Sequence, residues 1–95
     1  MKILVTGKNG QLSSELQAIA GHYPQHSFTF TDVAELDITQ PEAVEAYFKA
    51  RSFDALINCA AYTAVDRAEE EPEKAFAVNA EGVRNLVAAC RKHDI

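Results

Sequence analysis

No apolar run in this chain approaches the roughly 18 residues that a membrane-spanning helix needs. Basic residues are outnumbered: nine Lys and Arg stand against fourteen Asp and Glu, a net charge of −5. They form no stripe, which argues against nucleic acid and anionic membrane as partners. It leaves room for a nucleotide, which needs only local donors. Cysteine is scarce, and Cys59 and Cys90 sit apart in apolar surroundings with no C-x-x-C or histidine spacing to make a metal site. A reduced, cytoplasmic setting is expected. His22, His26 and His93 fall near element ends and are expected to be solvated. There is no internal repeat and no low-complexity linker. The start, Met1-Lys-Ile-Leu-Val-Thr-Gly7, runs directly into a strand pattern and does not read as a secretory leader.

The residues that are present are organised around the first sixteen. Ile3-Leu4-Val5 reads as a buried strand, broken at Gly7. Leu12, Leu16, Ile19 and Ala20 then recur at helical period. Strand, glycine turn and helix together form the context in which a glycine motif carries meaning. The turn lets backbone approach a ligand, and the helix start offers unpaired N–H groups and a positive dipole end, suited to a pyrophosphate. The spacing is Gly7-x-x-Gly10-x-x-Ser13 rather than G-x-G-x-x-G, so a serine stands where close helix–strand packing favours glycine. A plain strand–turn–helix connection is the alternative reading.

Gly21 predicts the end of the first helix. Phe28-Thr-Phe-Thr-Asp32 alternates as a second strand, and Asp32 follows Gly10 by 22 residues. A carboxylate so placed accepts hydrogen bonds from an adenosine ribose, or else caps local backbone. Lys8, inside the turn, would instead favour a 2′-phosphate. After Leu36-Asp37-Ile38, the run Thr39-Gln-Pro41-Glu42 reads as a capping box with Thr39 as N-cap. Its helix carries Val44, Tyr47 and Phe48 on one face and ends near Arg51. Phe53–Asn58 predicts a third strand, with Ala55-Leu56-Ile57 buried on both faces. Small residues come next, at the edge where open α/β sheets bind ligands. Acidic residues precede Pro72, and a helix runs to about His93. Ala75, Asn79, Gly82, Leu86 and Cys90 share a face of it, with Gly82 marking a close approach and Asn79 a buried amide. That amide either bonds to neighbouring backbone or anchors the ligand edge. The fold class is α/β: a three-layer, Rossmann-type parallel sheet, of which residues 1–95 form the N-terminal β-α-β-α-β-α half, an NAD(P)-binding half-domain.

Met1–Leu12, Leu36-Asp37-Ile38-Thr39, Asn58-Cys-Ala-Ala-Tyr-Thr-Ala-Val-Asp66 and Ala77-Val-Asn79 together closely resemble the N-terminal part of the dTDP-4-dehydrorhamnose reductase family, extended short-chain dehydrogenases/reductases acting on a nucleotide sugar. The resemblance covers essentially the whole chain, and the stretch from Ala60 to Glu69 is its most specific part. It implies that Gly7, Asn9, Gly10, Gln11 and Leu12 wrap the pyrophosphate. Asp32 would lie by the adenosine ribose, and Asp37 and Ile38 by the adenine. Ala60, Ala61 and Tyr62 would line the cofactor cleft, with Thr63 and Val65 at the border with the dTDP-sugar. Asn79 matches the family's helix asparagine near the cofactor. The family accepts NADPH or NADH, and Mg2+ accompanies some full-length members, although nothing in this sequence indicates a metal.

The family's proton donor is the tyrosine of a Tyr-x-x-x-Lys motif. Here Tyr23, Tyr47 and Tyr62 are followed four residues later by Ser27, Arg51 and Asp66. The expectation is a reductase of the C4 ketone of a dTDP-deoxysugar whose catalytic portion and substrate domain lie outside these residues. The chain alone would bind cofactor without turnover. The alternative is a non-catalytic, reductase-like regulatory or binding subunit. A strand order of 3-2-1 would also leave the first strand at an open edge and favour self-association there.

Overall fold

The computed structural model describes residues 1–60 and 71–95. Three parallel strands, β1 (Lys2–Thr6), β2 (Ser27–Thr31) and β3 (Ala55–Asn58), alternate with helices α1 (Gln11–Ala20) and α2 (Pro41–Ala50). Helices α3 (Pro72–Phe76) and α4 (Val83–Lys92) complete the described chain, joined by a π-helical turn at Ala77–Gly82. The alternation read from the periodicity is the alternation found.

The strands lie in the order β2-β1-β3. Ile3 pairs with Phe28 on one side and Ala55 on the other. β1 is therefore the central strand, which corrects the expectation of an open β1 edge and removes the basis for self-association through it. The outer strands among the described residues are β2 and β3. The 3-2-1 order required a strand beyond β2, and the segment after β2 does not extend. Asp37 Oδ1 instead accepts from Thr39 N–H (3.0 Å) and Thr39 Oγ1 (2.7 Å), folding Leu36–Thr39 back on itself. β3 is accordingly half-buried along Ala55–Ile57 rather than covered on both faces, because nothing described pairs with its outer side.

Right-handed crossovers in opposite directions, from β1 to β2 through α1 and from β2 past β1 to β3 through α2, put α1 and α2 on opposite faces of the sheet. That makes three layers. Alternation along β1 sends Leu4 to one face and Ile3 and Val5 to the other. Leu4 meets Leu36, Ile38, Val44, Phe48, Leu86 and Ala89 in one cluster beneath α2 and α4. On the opposite face Phe28 and Phe30 stack at 5.9 Å. α1 meets the sheet through Ser13, its one buried residue, while Leu12 and Ile19 are 60% and 46% exposed. Of the expected apolar stripe of α1, Leu16 and Ala20 are half-buried on the side of Ser13, and Leu12 and Ile19 are turned outward.

Two further details differ. Gln40, not Thr39, is the N-cap of α2, with Pro41 at the start of the helix and no side-chain cap. Thr39 lies one residue before the N-cap, its hydroxyl donating back to Asp37, so the capping box does not form. In the last helix the expected inward face holds at Ala75, Gly82, Leu86 and Cys90, and departs from expectation inside the π turn, where the wider winding changes the direction of Asn79. Gly82, Leu86 and Ala89 are buried, and Asn79 is exposed rather than buried. Gly82 does mark a close approach: a Cβ there would lie 2.6 Å from Ile38 Cδ1. His93 is not solvated but packs 6.1 Å from the Phe48 ring, with Nε2 3.2 Å from Glu45 Oε1.

Gly7 has φ +74°, and a Cβ there would lie 2.6 Å from the Cys59 carbonyl carbon and Ala60 nitrogen. Gly21 caps α1 with helical φ −64° and open space around it. Gly7→Ala is expected to lose roughly 3 kcal/mol of stability or more, left-handed strain plus displacement of the end of β3. Gly21→Ala is expected to gain about 0.5 to 1 kcal/mol. Urea denaturation of the two variants checks the contrast. A second prediction concerns Glu45, whose carboxyl is held below its ordinary value of 4.5 by hydrogen bonding to Lys92, with His93 adding to the effect. Its stabilising contribution is complete above that ordinary value and is lost as pH falls through the lowered folded-state value. Melting temperatures across a pH series should therefore show Glu45→Gln below the parent at neutral pH and the two converging in acid.

Candidate functional site

The turn after β1 is held from three sides. Gly10 N–H donates to Gly7 O (3.0 Å), Lys8 N–H to Thr31 O (2.9 Å), and Gln17 Nε2 to Lys8 O (2.7 Å). α1 then begins with Gly10 as N-cap, no side chain capping it and no acidic residue in its first turn. The first N–H groups of a helix have no partner within it. Here they keep an unneutralised positive end beside the turn. Asn58 fastens the floor, its Oδ1 accepting from Thr6 Oγ1 (2.6 Å) and Ala60 N–H (3.1 Å).

Across from the turn, the end of β2 supplies carboxylates. Asn9 Nδ2 donates to Asp32 Oδ2. Lys8 Nζ lies 2.9 Å from Glu35 Oε2, and the same oxygen accepts from Asp32 N–H at 3.1 Å. Hydrogen bonding from Lys8, then from the Asp32 backbone, holds the Glu35 carboxyl below the ordinary range. The glycine turn and the loop after β2 are thus joined by two polar contacts.

Between them lies a small cleft with a volume of about 40 Å³, lined by Gly7, Asp32, Val33, Asp37, Ile38 and Ala60 among others. Val33, 66% exposed, stands at this cleft, and Leu12, 60% exposed, at the start of α1. Asn85 Nδ2 donates to Ile38 O at 2.9 Å and ties α4 to the cleft's far wall. A larger cavity of about 350 Å³ opens at the opposite, amino end of the strands, lined by Lys2, Ser27, Thr29, Arg51, Ser52 and Phe53. Arg51 is stacked 3.8 Å over the Tyr47 ring there. Burial pushes the Cys59 and Cys90 thiols up, and both are free. Among the described residues no group of His, Cys, Asp and Glu could hold a metal ion.

The structure brings Gly7, Asn9, Gly10, Gln11, Leu12, Asp32, Asp37, Ile38 and Ala60 to one carboxyl edge. Asn79 lies on the π turn, and its neighbour Val78 reaches the cleft. Ala61, Tyr62, Thr63 and Val65 lie outside the described residues. Glu35, Asn58 and Asn85 were not singled out in the sequence. Asn85 had a signal, lying three residues past Gly82 and four before Ala89 on the buried side. Glu35 had none, because an exposed glutamate in a polar loop has no pattern to betray it.

By its fold, and by the end of the sheet at which its turn, helix start and carboxylates gather, the chain is an α/β protein of the Rossmann type. Residues 1–95 match the family described as the RmlD substrate binding domain, and the chain belongs to that family. It is 42% identical over 91 residues to a dTDP-4-dehydrorhamnose reductase of Mycobacterium tuberculosis, covering 96% of this chain and 29% of that protein. The crystal structure of a dTDP-4-dehydrorhamnose reductase from Clostridium acetobutylicum superposes with a TM-score of 0.88 at 45% identity, covering 97% of this chain and 32% of that one. That of the Bacillus anthracis dTDP-4-dehydrorhamnose reductase, in complex with NADP, gives 0.89 at 34% identity, covering 98% and 33%. The chain therefore spans less than a third of the length of the M. tuberculosis relative.

Ser13 takes the third glycine position, fully buried, and its Oγ has no hydrogen-bond partner among the described residues. An unsatisfied buried hydroxyl costs about 1 to 3 kcal/mol. Ser13→Ala is expected to raise stability by about 1 kcal/mol. Ser13→Val, overfilling the helix–strand contact, should lower it by about 1 to 3 kcal/mol. Thermal denaturation of both variants decides the point.

Proposed function

We propose that this chain holds the adenosine and pyrophosphate half of an NAD(P)H site in a nucleotide-sugar reductase. The reaction would reduce the C4 ketone of dTDP-4-dehydro-L-rhamnose to dTDP-L-rhamnose, in the cytoplasm, for cell-surface polysaccharide synthesis. The observation that carries the reading is the uncapped, acid-free start of α1 directly after the Gly7 turn, with Asp32 facing it. The names of the relatives support the substrate class, and the NADP in the B. anthracis structure supports a nicotinamide cofactor.

The residues fit such a group. N–H groups at the start of α1 would take the pyrophosphate, and Gly10 keeps the approach open where a side chain would stand in the way. Asp32 would accept from a ribose hydroxyl by giving up its bond from Asn9. Val33 offers an apolar surface for the base, which the 40 Å³ cleft is too small to enclose. Asp37, held by Thr39, would present the loop backbone to the base edge. Thr63 and Val65 would border the sugar. Bound, the cofactor supplies a hydride. The proton donor, a Tyr-x-x-x-Lys tyrosine, is not encoded in residues 1–95, so this chain by itself would bind without turnover.

Titrating the isotope-labelled chain with NADH tests the reading by amide shifts. Saturation near millimolar concentration, about −4 kcal/mol, is expected for half a site. The largest shifts should fall on Gly7–Ser13 and Asp32–Thr39. Shifts confined to Lys2, Ser27 and Arg51–Phe53, at the opposite edge, would refute it.

A further inference from the structure

We propose that Glu35 is a specificity-determining residue, one that withholds Lys8 from a 2′-phosphate and so makes this site favour a dinucleotide with a free 2′-hydroxyl. The inference rests on the dinucleotide reading above and deepens it. Lys8 is the cation that the glycine turn contributes to the ribose end, and its ammonium is already 2.9 Å from Glu35 Oε2. Glu35 does not depend on Lys8 for its position. Its Oε2 also accepts from Asp32 N–H (3.1 Å), and its own N–H donates to Asp32 O (3.0 Å). If Lys8 swung toward a ligand, the Glu35 carboxylate would therefore stay.

Lys8 is constrained too. Its N–H bonds Thr31 O, and its carbonyl accepts from Gln17 Nε2. The three charges at this end, Lys8, Asp32 and Glu35, sum to −1. A 2′-phosphate dianion would meet two carboxylates and a cation that is already paired. A 2′-hydroxyl meets the same carboxylates as a donor, and Asp32 can accept from it once Asn9 turns aside. A lysine in the glycine turn, read alone, suggests the opposite preference. The contact from the loop after β2 reverses it. Hydrogen bonding lowers the Glu35 carboxyl, so this negative charge persists throughout the neutral range.

Calorimetric titration of the full chain with NADH and with NADPH tests this, beside Glu35→Gln, Glu35→Ala and the double variant Glu35→Gln/Lys8→Met. Glutamine keeps an acceptor for Asp32 N–H and removes only the charge. The parent should bind NADH more tightly. Glu35→Gln should shift the NADPH-to-NADH affinity ratio toward NADPH by roughly tenfold, as expected for removing one charge a few ångströms from a phosphate. Glu35→Ala should shift it in the same direction. Lys8→Met in the Gln background should remove the gain. If both cofactors bind and neither Glu35 variant moves the ratio by more than about twofold, the inference is wrong while the site reading stands. A gain that survives Lys8→Met also overturns it. If a chain shown to be folded by circular dichroism binds neither cofactor, the dinucleotide reading falls and takes this inference with it.

Discussion

The structure depends on the contact between the turn after β1 and the end of β3. Gly7 adopts a left-handed backbone and sits where any side chain would meet the Cys59–Ala60 peptide. Cys59 N–H donates to Thr6 O at 3.1 Å, and Asn58 clasps Thr6 from the side. β1 can end and turn only in this narrow way, and the direction of the turn fixes where α1 begins. The start of that helix, uncapped and with no acidic residue in its first turn, offers unpaired donors at the carboxyl edge. The geometry of this edge thus stems from a steric requirement at a single residue.

Around this junction the two faces of the sheet are unequal. The face carrying Leu4 is closed by α2 and α4 through Phe48, Val44, Leu86 and Ala89, all nearly inaccessible. The other is covered by α1, which buries only Ser13 completely. The better-packed side also holds Leu36 and Ile38, so the loop that walls the cleft is anchored in the core. Asn85 fixes that loop a second time through the Ile38 carbonyl. The rim between the glycine turn and the loop after β2, by contrast, is joined by half-exposed polar pairs, which are weak individually. A rigid floor and a polar rim with exchangeable partners suit a site whose ligand replaces the rim contacts on binding.

Much of this was legible in the sequence, for reasons that differ by element. Ile3–Val5 could be only a buried strand, and Gly7 and Gly21 punctuated the helix between them. The last helix was legible from Pro72 to His93, and so was most of its inward face: Gly82 and Leu86 are buried and Ala75 and Cys90 half-buried, while Asn79 is not. The π turn at Ala77–Gly82 moved Asn79 to the surface, and the turn has no composition signal of its own. Thr39 satisfied the capping pattern and still did not cap, because the helix begins one residue later, with Gln40 at the N-cap, while Thr39 turns back to donate to Asp37.

By itself the sequence determined the order and type of the elements, the glycine turn, the buried strand and the family, since each is written in local spacing and residue type. Only the tertiary structure decided that β1 is central, that Glu35 holds Lys8, and that Asn58 and Asn85 brace the cleft. The reason is physical. Strand pairing and ion pairing join residues far apart along the chain, as Leu4 joins Leu56 and Lys8 joins Glu35. Periodicity records which face a residue presents, but not which distant segment will meet it.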